Sequence, residues 1–178
     1  AFKGAGHWTH LYGNADNSGF GGEELGDART KDDLTVQWVG RPGPRYQSDR
    51  SGRKPSPLAV NGRLLLQGLD RIIALDSYNG TVLWALEIPG VQRFNVPRDC
   101  GNWWADDDFI FAAVRDRVWK IDAATGSVIA HLQMPETKIA GPGQKDWGFV
   151  AREGDILLGS TLPQHTSWTD FWGKKGWY

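Results

Sequence analysis

Asp106, Asp107 and Asp108 are consecutive carboxylates, the kind of oxygen donors that calcium takes. The positions 46 residues to either side carry Asn61-Gly62 and Glu153-Gly154, so a polar hairpin turn is the stronger reading of the three acids. His7 and His10 form a His-x-x-His pair that could ligate a metal, yet no Cys, Asp or Glu stands beside it at helical or hairpin spacing. A solvated loop is expected there. His131 and His165 fall at a strand end and in the C-terminal loop. Cys100 is the single cysteine, which excludes an internal disulfide and a cysteine-based metal site. Its thiol would be reactive only if Arg93 or Arg98 lowered its pKa, and an inert thiol is expected. The glycine-rich stretches 19–22 and 141–143 lack the Gly-Lys-Thr continuation and strand-to-helix setting of a phosphate loop. No catalytic residue and no metal site is assigned from these groups.

The elements that position such residues follow from composition and periodicity. The 178 residues suit one domain of ordinary size. Lys and Arg total 20 against 21 Asp and Glu, a net charge of -1 that gives no global field for a nucleic acid. No apolar run approaches the roughly 18–20 residues of a membrane helix, and the first residues lack the pattern of a secretory signal. With 40% hydrophobic residues and ten tryptophans the chain can bury a core, and 23 glycines supply turns.

A repeat of 46 residues organises the chain. Residues 73–82 answer 119–128, Trp38 answers Trp84, and Glu153-Gly154 continues the series of turns. Within the repeats, short apolar or alternating runs predict strands at 57–60, 63–67, 71–75 and 81–86, then at 102–105, 109–114, 117–121 and 127–132. A third set opens at 147–151 and 155–160. Asn61-Gly62 is a strong hairpin signal because both central turn residues need positive φ. At most one short helical turn is expected, within 23–33. Four antiparallel strands every 40–50 residues are the pattern of a β-propeller blade. The fold class expected is all-β, a partial propeller. Its parts are a loop-rich arm over 1–33, blades over 34–160 (a closing strand, two full blades and the start of a third) and a Trp-rich tail over 161–178. Such a chain is expected to be a piece of a larger propeller or to complete its ring with a second copy.

The segment Ala74-Leu75-Asp76-Ser77-Tyr78-Asn79-Gly80-Thr81-Val82-Leu83-Trp84 resembles the tryptophan-docking motif Ala-x-Asp-x-x-Thr-Gly-x-x-x-Trp of quinoprotein alcohol dehydrogenases and their pyrroloquinoline quinone (PQQ)-like propeller relatives. Asn79 stands where the motif has Thr; in the next unit Asp122, Thr125 and Gly126 match, while Lys120 and Ala130 depart. The resemblance implies that Asp76, Gly80, Trp84, Asp122 and Gly126 are structural, with Trp84 buried between adjoining blades. Quinoprotein dehydrogenases also carry PQQ and calcium under a vicinal disulfide, which one cysteine cannot form, so the resemblance implies the propeller without the cofactor. PQQ and calcium enter only if the chain is a fragment of an oxidoreductase whose cofactor residues lie elsewhere. Many relatives are binding or assembly scaffolds, including in outer-membrane protein assembly, and are periplasmic or extracellular.

Propeller geometry places the loops 41–56, 90–101 and 136–146, with the turns 68–71 and 115–117, on one face. Basic residues outnumber acids there. Arg53, Arg71, Arg93, Arg98, Asn102, Arg115 and Lys145 are the candidate contacts for a protein partner or a small anionic ligand, since guanidinium groups pair with carboxylates and phosphates. A cyclic dimer and the capping of exposed blade faces by the arm and the tail are further expectations.

Overall fold

The computed structural model describes residues 1–40, 56–68, 70–91, 101–135 and 145–164. Apart from one 3-10 turn, Lys31–Asp33, capped by the Thr30 hydroxyl, the regular structure described is β. The first sheet joins β1 (Leu58–Val60), β2 (Arg63–Gly68), β3 (Arg71–Asp76) and β4 (Val82–Glu87), each antiparallel to the next. The second joins β5 (Trp103–Ala105), β6 (Phe109–Val114), β7 (Arg117–Asp122) and β8 (Val128–Gln133) in the same order. A third, two-stranded sheet holds β9 (Lys145–Glu153) and β10 (Ile156–Pro163). The strands of the two complete sheets lie within one residue of the expected bounds, and β9 and β10 run longer than expected.

Turn chemistry explains the hairpins. Asn61 and Gly62 both adopt positive φ, 45° and 73°, as a two-residue turn between β1 and β2 requires. The two complete sheets also share a kink. Register shifts fall between Ala74 and Leu75 and between Lys120 and Ile121, so the outer strand bulges at the same place in each.

Alternation then builds a layered core. Leu58, Leu65, Ile72 and Ala74 pack with Trp103, Ile110 and Ala112 of the second sheet. Trp104, Phe111 and Val118 point the other way, onto Trp147 and Val150 of the third. Adjacent tryptophans thus serve opposite faces, the period of two that a sheet buried on both sides demands. Leu58, Leu65, Ile72, Ile110 and Ile121 are fully buried, each worth about 1.5–3 kcal/mol by transfer.

The N-terminal arm folds back on itself, with His7 N–H donating to Gly21 O at 2.7 Å and Gly19 N–H to Tyr12 O at 2.9 Å. It then runs along the free edges of both sheets. Trp8 and Ala59 exchange two backbone hydrogen bonds, 2.7 and 2.9 Å, and Ala105 N–H donates to Thr9 O at 3.3 Å. Those bonds occupy edge groups that β1 and β5 would otherwise present.

Residues 34–38, read as the closing strand of a preceding blade, carry no strand assignment, while Trp38 among them donates to Ser77 O of the first sheet's turn at 2.9 Å. One expectation is corrected. The loop carrying His10 is not simply solvated. His10 is half-buried, its ring edge-on to Trp104 at 6.0 Å, because the arm is held against β1 and β5. The tail from residue 165 lies outside the described residues, as do Cys100 and His165.

Candidate functional site

Each complete sheet ends its third strand in a turn built around one aspartate. Asp76 Oδ1 accepts from the Tyr78 and Asn79 amides at 2.8 and 3.2 Å, and Gly80 N–H closes onto Asp76 O at 2.8 Å. Asp122 Oδ1 accepts from the Ala124 and Thr125 amides at 2.9 and 2.8 Å, and Gly126 N–H closes onto Asp122 O at 2.9 Å. The Thr125 hydroxyl also donates to Asp122, and the amides with that hydroxyl hold the Asp122 carboxyl below the usual carboxylate range. Asn79 replaces threonine without loss of the next bond. Its Oδ1 accepts from Thr81 N–H at 2.8 Å, as Thr125 Oγ1 accepts from Ser127 N–H at 3.2 Å.

Gly80 and Gly126 sit at φ of 75° and 74°, where side chains are disfavoured, and each turns a bare backbone toward an indole. A Cβ on Gly126 would stand 2.7 Å from the Trp84 ring, and one on Gly80 the same distance from Trp38. The indole N–H groups reach onward in matched fashion. Trp84 Nε1 donates to Ala123 O at 3.1 Å and Trp38 Nε1 to Ser77 O at 2.9 Å. Trp84 is partly buried and packs against the core from the edge strand β4. Residue types alone did not reveal the carbonyl acceptors, since any residue supplies one.

On the basic face, Arg53, Arg93 and Arg98 lie outside the described residues. Arg71 opens β3 and pairs across the ladder with Glu87, Nη2 to Oε1 2.8 Å. Arg115 occupies the β6–β7 turn at a φ of 54°, and its carbonyl accepts from Trp147 N–H at 2.7 Å, tying the third sheet to the second. Lys145 is the first residue of β9, opposite Pro163. Asn102 is buried and structural: its amide donates to Val91 O at 2.7 Å and to Ala113 O at 3.4 Å. Two further buried polar side chains, Gln67 and Asp146, belong to this same end of the sheets, and neither side chain has a hydrogen-bond partner among the described residues. Nothing in their types or spacing singled them out.

The opposite end is acidic and more tightly tied. Asp106 Oδ1 caps the β5–β6 turn, accepting from the Asp108 and Phe109 amides at 2.9 and 2.6 Å, the hairpin role expected. Its second oxygen takes Arg152 Nη1 of the third sheet at 2.6 Å. The Arg152 guanidinium lies 5.7 and 5.5 Å from the Trp104 and Phe111 ring centroids. His7 Nδ1 stands 3.4 Å from Asp107.

No protein-family model matches the chain, and no curated protein does. By structure it is similar to BamB from Moraxella catarrhalis, at 17% identity and a TM-score of 0.44, over 59% of this chain and 33% of that one. It is similar also to a europium-containing methanol dehydrogenase, at 20% identity and a TM-score of 0.39, over 57% of this chain and 19% of that one. The chain spans a third or less of the length of either. In its four-stranded antiparallel sheets, packed face against face, it resembles the PQQ-like β-propeller proteins.

Proposed function

We propose that the chain is a non-catalytic propeller-blade module that binds or assembles with a protein partner through the loop-bearing face of its sheets. The observation that supports this is the repeated seam, Trp38 on Gly80 and Trp84 on Gly126, with matched indole hydrogen bonds. In this reading Asp76, Gly80, Trp84, Asp122 and Gly126 are docking residues, and their polar groups are consumed in holding sheets together. Such a scaffold presents loops rigidly, which is where recognition concentrates.

The test has two arms. Addition of PQQ with calcium, followed by absorbance and dye-linked alcohol oxidation, is expected to give no activity; turnover would replace this reading with that of an oxidoreductase fragment. Photo-cross-linkers at Arg115 and Lys145, in an extract of the source cells, are expected to yield a discrete protein adduct that the same cross-linker placed at Asp107, on the acidic end, does not. Adducts indifferent to position would count against the face.

A further inference from the structure

Between the N-terminal arm and the third sheet lies a cleft of about 310 Å³. Tyr12 and Leu11 of the arm form one wall, and Phe149 and Leu158 of β9 and β10 form the other. His10 and Glu153 supply polar groups at its margins. The cleft lies away from the basic face: Glu153 ends β9 at the hairpin with Gly154, on the side where Asp106 receives Arg152. Its size is at the small end for ligand pockets, room for one ring and a short tail.

We propose that this cleft binds a small arylalkyl ammonium ion, its ring between Tyr12 and Phe149 and its charge at Glu153. The charge balance selects the cation. Arg152 also lines the cleft, but Asp106 at 2.6 Å and Asp155 at 3.7 Å neutralise it. Burial drives the His10 pKa down against the opposing pull of Glu153, so His10 is neutral at pH 7, and its Nδ1 is engaged by the Thr9 hydroxyl at 2.6 Å. Glu153 is exposed and enters no ion pair among the described residues. With Arg152 engaged by Asp106 and Asp155, Glu153 is the unpaired charge among the residues that line the cleft, and an anionic ligand would meet it without a free cation among them to receive it. Aromatic faces add attraction for an organic cation, which sheds water more readily than a metal ion. Tyr12, on the arm, and Phe149, on the sheet, both line the cleft.

The inference is independent of the scaffold reading, and its test uses three probes of one shape: 2-phenylethylamine, 2-phenylethanol and phenylacetate. Calorimetric titration of the whole chain is expected to give saturable millimolar or tighter binding of the amine, with phenylacetate at least about tenfold weaker and the alcohol between. Glu153→Gln, on an exposed hairpin, should bring amine and alcohol to within about twofold of each other. Ala15→Arg, on the exposed cleft margin, should weaken the amine and spare the alcohol. Absence of saturation, equal or tighter binding of phenylacetate, or an amine preference unmoved by both substitutions would overturn the assignment.

Discussion

The Trp84 indole lies on the bare backbone of Gly126, and its N–H reaches the carbonyl of Ala123 three residues earlier in the same turn. One residue of the first sheet thus reads both the shape and the polarity of a turn in the second. Trp38 reads Gly80 and Ser77 identically, 46 residues upstream.

Two substitutions separate these contributions. Trp84→Phe keeps the ring but loses the donor, an expected cost of about 1 kcal/mol. Trp84→Ala should cost about 2–4 kcal/mol, toward the low side for a tryptophan because the ring is only partly buried. Gly126→Ala meets both a positive φ and the ring, and should cost about 1–3 kcal/mol. Urea denaturation of each variant supplies the values, and a loss below about 0.5 kcal/mol for Trp84→Ala would remove the seam from the account of stability.

The Arg152 pair with Asp106 spans two sheets, and both side chains are less than a third exposed, 23% and 29%. A double-mutant cycle with Arg152→Met and Asp106→Asn should give a coupling of about 1 kcal/mol, above the median for open surface pairs. Arg152→Met keeps much of the apolar stem over Trp104 and Phe111, so the near-ultraviolet signal of those rings should persist.

Acid should unfasten the second turn. The carboxyl pKa of Asp122 is depressed by the Thr125 amide first, then by the Thr125 hydroxyl, with the Ala124 amide and Arg63 adding to it. A depressed folded pKa contributes stability that is complete above the unfolded value near 3.8 and is lost as pH falls through the folded value. Asp122→Ala should therefore be less stable at neutral pH and show a shallower loss of urea midpoint below pH 3.8. An acid limb as steep as the parent's would show that the turn does not depend on the charge.

His10 should titrate below its ordinary 6.5, since burial disfavours the imidazolium more strongly than Glu153 favours it. The sign follows from proton uptake. The unfolded chain binds the proton first, so this group contributes stability above pH 6.5 that falls away as pH drops toward the folded pKa. Histidine proton shifts followed by NMR give the pKa directly, and a value above 6.5 would mean the arm does not hold His10 against Trp104.

Local chemistry made the strands and their turns legible in the residues alone. Asn61-Gly62 and the Asp76-to-Gly80 and Asp122-to-Gly126 turns each require backbone conformations and side-chain acceptors that few residue types supply, so their identity is written at the position itself. Period-two alternation likewise placed the strands of both complete sheets. What only the tertiary structure decided are relationships between distant residues with no local signature. Trp8 exchanges backbone bonds with Ala59, Asn102 turns inward to Val91 O, and Arg152 crosses to Asp106. Polar side chains of the same type can be solvated, caught in a seam or aimed at a ligand, and their environment rather than their identity selects among these. A basic face drawn from sequence could count Arg71 as a ligand contact; only the folded ladder shows Glu87 standing opposite it at 2.8 Å. The cleft beside His10 exists because the arm returns along two free strand edges, a path that depends on the edges being there.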